Sequence, residues 1–163
     1  MRASTYRRSR NSAPRRPTRA RDRSGAPVTG YTRISDEPID IHSGVYSPDI
    51  VVVIDPFVIR TVNVLEGLKE GGSLIVNSSE DPSSLKNELK ITNPVYTVDA
   101  TKIALDIFNR PFFNTPMLGA LVKVTKIVSL DSVEKAIRAR FESTLAEKNI
   151  QAVKRAYEEV KGE

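Results

Sequence analysis

The sequence has no cysteine and no tryptophan, and it has a single histidine. Without cysteine the chain forms no disulfide, gives no thiolate to zinc or to an iron–sulfur cluster, and offers no sulfur nucleophile. With His42 as the only histidine, a multi-histidine metal site is excluded and a serine–histidine pair would have one ring to use. His42 lies in the alternating stretch Ile39-Asp40-Ile41-His42-Ser43, which reads as a surface or turn position. No apolar run nears the roughly eighteen residues that span a bilayer; the longest, Ile50 to Ile54, has the length of a buried strand. The N-terminus also lacks the apolar core of a secretory signal, so a cytoplasmic chain without a membrane partner is expected.

Charge is unevenly placed. Residues 1–24 hold nine Arg, no Lys and one acid, Asp22, and so carry +8. The remaining residues hold six Arg, ten Lys and nineteen acids, for −3, and the two parts sum to the chain's +5. The basic character belongs to a tail and not to a domain. Residues 1–24 are read as disordered, because Pro14 and Pro17 interrupt any helix and apolar residues are too few for a core. Residues 25–163 are rich enough in apolar residues to form one α/β domain.

Three readings of the Arg-rich tail are open. As a nucleic-acid or anionic-surface contact it would neutralise phosphates, yet Tyr6 is its only aromatic residue for stacking. As an organellar transit peptide it is suitably Arg- and Ser-rich, but the two prolines spoil the amphipathic helix. It also uses only Arg before a body that prefers Lys, the signature of translation from another frame or start; this reading is favoured, and nucleic acid is not an expected partner.

Within the body, Val28 to Ile34 alternates apolar and polar residues and predicts a half-exposed strand, paired in a hairpin with Ile39 to Ile41. Ile50 to Ile54 is β-branched throughout and apolar on both faces, the pattern of a parallel strand covered on both sides; Asp55-Pro56 ends it. Val62, Leu65 and Leu68 predict a helix closed by Gly71-Gly72. Ser73 to Asn77 and Val95 to Val98 predict further strands, with a short helix marked by Leu85 and Leu89 between them. Asp99 can cap a helix carrying Ile103 and Ile107. The last third is helical. Thr115-Pro116 predicts a cap and a first helical position, Asp131 and Glu134 have capping-box spacing, and Leu145 to Val160 forms an amphipathic stripe. The fold class is therefore α/β: a doubly wound, mostly parallel sheet with flanking helices and a helical C-terminal third.

Two places could carry chemistry. Asp55-Pro56 puts a carboxylate on the edge where doubly wound sheets bind ligands, although a strand-ending Asp that caps the next turn is the more ordinary reading. Asn114 to Ala120 would point free N–H groups and a positive dipole end at an anion, or form an ordinary helix start with Gly119 and Ala120 small for packing; these two readings are even. No nucleophile–base pair, metal cluster or phosphate-cradling turn is present, so no catalytic residue and no metal ligand is assigned.

Several blocks resemble the gamma subunit of pyruvate:ferredoxin oxidoreductase (pyruvate synthase), of the 2-oxoacid:ferredoxin oxidoreductase family. They are Gly25 to Val28 with Tyr31 to Ile39, Val45 to Val53, Asp55-Pro56, Val64 to Gly72, Asp99 to Ala104, Asn114 to Ala120 and Leu145 to Ile150. They are collinear and reach from Gly25 nearly to the C-terminus. The resemblance implies a subunit that is inactive alone, within an enzyme that turns 2-oxoacid, coenzyme A and oxidised ferredoxin into acyl-CoA, CO2 and reduced ferredoxin. It implies companions of alpha, beta and delta type, which hold thiamine diphosphate and the iron–sulfur clusters. It further implies that Asn114, Thr115, Met117 and Gly119 lie near coenzyme A, with Asn114 and Thr115 donating hydrogen bonds and Gly119 allowing close approach. Subunits of this kind open with a strand, a Gly-Arg-Gly-Gly-Gln-Gly turn and a helix. That N-terminal strand–helix unit is expected to be missing here, with a strand edge left open.

Overall fold

The computed structural model describes residues 27–40 and 43–162. The Arg-rich segment, the expected boundary at Gly25 and His42 lie outside the described residues. The chain divides into two compact units after Val45.

In the first unit, residues 27–40 are exposed throughout and form no regular element. Val28 is 95 % exposed, and the strand expected from Val28 to Ile34 is absent. Alternation encodes a preference for a pleated surface, but a strand needs a ladder partner, and none pairs with this segment among the described residues. Ile39 and Asp40 are likewise irregular, and Ile41 lies outside the described residues, so the hairpin is not formed there. The Arg33 guanidinium shapes the segment by donating to the Ser43 carbonyl at 2.7 Å and the Gly44 carbonyl at 2.9 Å.

The second unit is built on a four-stranded sheet in the order β1 (Ile50–Val53), β2 (Ser73–Asn77), β3 (Val95–Val98) and β4 (Lys161–Gly162). The first three strands are parallel, with Val52 opposite Ile75 and Ile75 opposite Tyr96. β4 runs antiparallel to β3 and seats Gly162 beneath the Tyr96 ring, where a Cβ would collide at 2.1 Å. Five α-helices accompany the strands: α1 (Pro82–Leu89), α2 (Ala100–Phe108), α3 (Asn114–Thr125), α4 (Leu130–Arg140) and α5 (Ser143–Glu159).

Strand residues of one parity bury one face and their neighbours the other, as the period of two requires. Val53, Leu74, Val76 and Val95 pack with Leu85 of α1 and with Ile59, Val64 and Leu65 of the β1–β2 connection. Ile75 and Val98 pack with Ile103 of α2, Met117 and Ala120 of α3, and Ala152 and Ala156 of α5. A third cluster, Val122, Val133, Ile137, Ala146, Ile150 and Val153, joins α3, α4 and α5 outside that layer. Leu74, Ile75 and Val76 are wholly buried, and side chains of this size stabilise by about 1.5–3 kcal/mol each.

Three local expectations are corrected. The β1–β2 connection contains a 3-10 turn, Pro56–Arg60, and further turns in place of the helix expected around Val62, Leu65 and Leu68. An Asx turn forms where the Asn63 side chain accepts from Leu65 N–H. Gly67 follows at φ +77° with its Cα against the Tyr46 carbonyl, where a Cβ would sit at 2.0 Å. The apolar residues still reach the sheet, but from an irregular backbone. Helix α4 is capped by Ser129, whose hydroxyl accepts from Ser132 N–H, because the helix starts at Leu130 and already includes Asp131. Helix α3 begins at Asn114 and follows Phe113, so Thr115 is inside the helix and does not cap it. Among the described residues no helix is long and apolar enough to cross a membrane.

Candidate functional site

The carboxyl edge of the parallel strands holds Asp55, Asn77, Ser78 and Asp99. Asp55 has the ordinary role open to it: its carboxylate accepts from Phe57 N–H at 3.0 Å and so caps the 3-10 turn. Asp99 caps α2 in the same manner through Lys102 N–H at 2.8 Å, as its sequence position predicts. Asn77 is 2 % exposed and ties two loops together. Its amide nitrogen donates to the Ile54 carbonyl at 2.9 Å and to the Thr101 hydroxyl at 3.0 Å, while its oxygen accepts from Thr101 N–H at 3.2 Å. These contacts lock the end of β1 to the start of α2. At this edge the Asp55 and Asp99 carboxylates serve as caps and the Asn77 amide as a clasp, all structural roles.

The start of α3 carries the other four candidates, and the structure separates them. Asn114 is exposed and Thr115 half-buried, whereas Met117 and Gly119 are buried. Met117 belongs to the core beneath the sheet. Gly119 faces α5 so closely that a Cβ would lie 2.2 Å from the Val153 carbonyl oxygen. Its smallness therefore serves helix–helix contact. α3 and α5 run parallel with a constant offset: Thr115 meets Asn149, Gly119 meets Val153, and the Lys123 ammonium lies 4.6 Å from the Tyr157 ring centre.

The hydrogen-bond inventory fixes what Thr115 can offer. Asn149, 5 % exposed, donates its amide nitrogen to the Leu145 carbonyl at 2.8 Å, so its oxygen faces Thr115. Thr115 must then donate its hydroxyl proton to that oxygen, at 2.8 Å. Toward solvent the hydroxyl retains lone pairs only, so it can accept a hydrogen bond and not give one. Pro116 has no N–H, and the Met117 N–H is taken by the Phe113 carbonyl. The Asn114 side chain and the Asn114 and Thr115 N–H groups are what this turn can direct at an anionic or carbonyl group. Asn77 and Asn149, which organise these two places, escape the sequence reading. The available signal is a polar residue at a position the strand or helix pattern assigns to the core.

Around the helical layer, Arg155 donates to Glu159 at 2.6 Å and to Asp106 of α2 at 2.8 Å, and Lys154 pairs with Glu134 of α4. Arg138 pairs with Glu147. These hydrogen bonds, the one to Glu159 first for Arg155 and the one to Glu147 for Arg138, hold both guanidiniums above the ordinary arginine pKa. Among the described residues, no group of three or more carboxylates or imidazoles could hold a metal ion.

Comparison with known proteins agrees with this architecture. The model of the family described as "Pyruvate ferredoxin/flavodoxin oxidoreductase" matches residues 16–159. The chain is 47 % identical over 138 residues to the pyruvate/ketoisovalerate oxidoreductases common subunit gamma of Thermococcus litoralis, covering 84 % of this chain and 75 % of that protein. It is 44 % identical over 139 residues to the pyruvate synthase subunit PorC of Methanocaldococcus jannaschii, covering 85 % and 75 %. The crystal structure of the pyruvate oxidoreductase subunit PORC of Thermotoga maritima superposes with a TM-score of 0.65 at 43 % identity, covering 72 % of this chain and 66 % of that one. The α/β fold and these relatives place the molecule among oxidoreductase subunits. The chain belongs to the pyruvate ferredoxin/flavodoxin oxidoreductase family, on its gamma-subunit branch. It spans about three quarters of the length of these relatives and 66 % of the crystallised chain.

Proposed function

We propose that this chain acts as the gamma subunit of a cytoplasmic pyruvate (2-oxoacid):ferredoxin oxidoreductase. The assembly would convert a 2-oxoacid, coenzyme A and two oxidised ferredoxins into acyl-CoA, CO2, two reduced ferredoxins and a proton. Collinear identity of 44–47 % with gamma-type relatives, together with the matching fold, carries the reading. The chain's own chemistry suits a companion role. A sequence without cysteine cannot ligate a cysteine-held iron–sulfur cluster, and the described carboxylates form no cation site for a diphosphate cofactor. By the family resemblance, thiamine diphosphate and the clusters would belong to companion subunits of alpha, beta and delta type, and ferredoxin would meet the chain through that complex. Coenzyme A is a different case, because the start of α3 has outward N–H groups suited to its anionic and carbonyl groups. Of the four candidate residues, Asn114 makes that contact as a donor and Thr115 only as an acceptor, while Met117 and Gly119 act behind them by fixing α3 on the core and α5.

The test is reconstitution. The chain is co-expressed with companion subunits from the same source, the complex is purified, and pyruvate- and coenzyme-A-dependent ferredoxin reduction is measured. Activity is expected with this chain present and lost when it is omitted. Full activity without it, or failure to co-purify, would overturn the reading.

A further inference from the structure

We draw no further inference here: the strongest candidate, the outer edge of β1, which is unpaired among the described residues and leads into the exposed Phe57 turn, is an unpartnered surface, and nothing in the structure shows what covers it.

Discussion

Gly119→Ala separates a packing role from a ligand role at the start of α3. The new Cβ would stand 2.2 Å from the Val153 carbonyl oxygen, 3.0 Å from its carbon and 3.1 Å from the Ala156 Cβ. Two of these neighbours are backbone, so no side chain can swing away. The helices must part by about 1 Å to restore an ordinary contact, and overpacking of this kind costs about 1–3 kcal/mol. Helix propensity offsets up to about 1 kcal/mol of that, since Ala is the better helix former. The same displacement lengthens the 2.8 Å Thr115–Asn149 bond beyond hydrogen-bonding range and leaves a buried amide oxygen unmatched, at about 1–3 kcal/mol. With the full propensity offset the net expectation is a loss of about 1–5 kcal/mol, or roughly 3–25 °C in melting temperature for a unit of this size. Urea and thermal unfolding of the purified chain, followed by circular dichroism, read it directly. Gly71→Ala serves as a control, because Gly71 has φ +77° with nothing within 4 Å and so reports backbone strain alone. An unchanged melting temperature combined with weakened coenzyme A use in the complex would refute the packing argument and return Gly119 to the ligand.

Thr115→Val should lower stability by about 1–3 kcal/mol by orphaning the Asn149 oxygen, and adding Asn149→Leu should recover part of that loss. Non-additivity in a double-mutant unfolding cycle measures the coupling, and strict additivity would refute it. Asn114→Ala should leave melting unchanged, because the side chain is exposed, and should raise the KM for coenzyme A in the assembled enzyme. An unaltered KM would remove Asn114 from the site. Asn77→Ala should cost about 2–4 kcal/mol, since it strands the Ile54 carbonyl and the Thr101 hydroxyl together; a loss below 1 kcal/mol would show that water replaces the clasp. Arg155→Met should cost at most about 1 kcal/mol, shrinking in high salt. Its folded pKa is raised by its bonds to Glu159 and Asp106, so while those partners are ionised the guanidinium's contribution is present below its unfolded pKa and disappears as pH rises through the folded value. From this group alone, the wild-type-to-variant difference should stay flat between pH 6 and pH 10; a step in that interval would contradict the assignment.

The strands that build the sheet were legible because burial on both faces leaves a compositional trace. Ile50 to Ile54 and Leu74 to Val76 are β-branched or aliphatic without interruption, and they become β1 and β2 in parallel register. Asp99 was legible because capping is local: a carboxylate three residues before an open N–H has one obvious use. The segment from Val62 to Leu68 was not, since its apolar spacing fits a helix while its backbone is decided by a remote event. The Tyr46 carbonyl approaches Gly67 from more than twenty residues away, and no local pattern announces that contact. Val28 to Ile34 shows the opposite limit. Its alternation is correct for a strand, but a ladder is a relation between two segments, and one segment's pattern cannot supply the other. At two residues, β4 was too short to leave any periodicity.

At the start of α3 the helix itself was legible and the hydrogen-bonding chemistry it offers was not, for a reason visible in Thr115 and Asn149. Sequence places a threonine at a helix start and credits it with a donor, because a hydroxyl has a proton to give. Which direction that proton points is set by Asn149, and Asn149 is oriented in turn by the Leu145 carbonyl one turn earlier on α5. A bond to a residue 34 positions away, itself oriented by a bond within α5, converts an outward donor into an outward acceptor. The same contacts align Gly119 with Val153 and Lys123 with Tyr157, so the register of the two helices and the polarity of the α3 start are one structural fact. A ligand group that must accept from this turn has only the Asn114 side chain and two backbone N–H groups to meet. The hydroxyl of Thr115 instead favours a ligand N–H or O–H, so under the coenzyme A proposal it would face an amide, a hydroxyl or the adenine amino group, and the phosphates would lie toward Asn114.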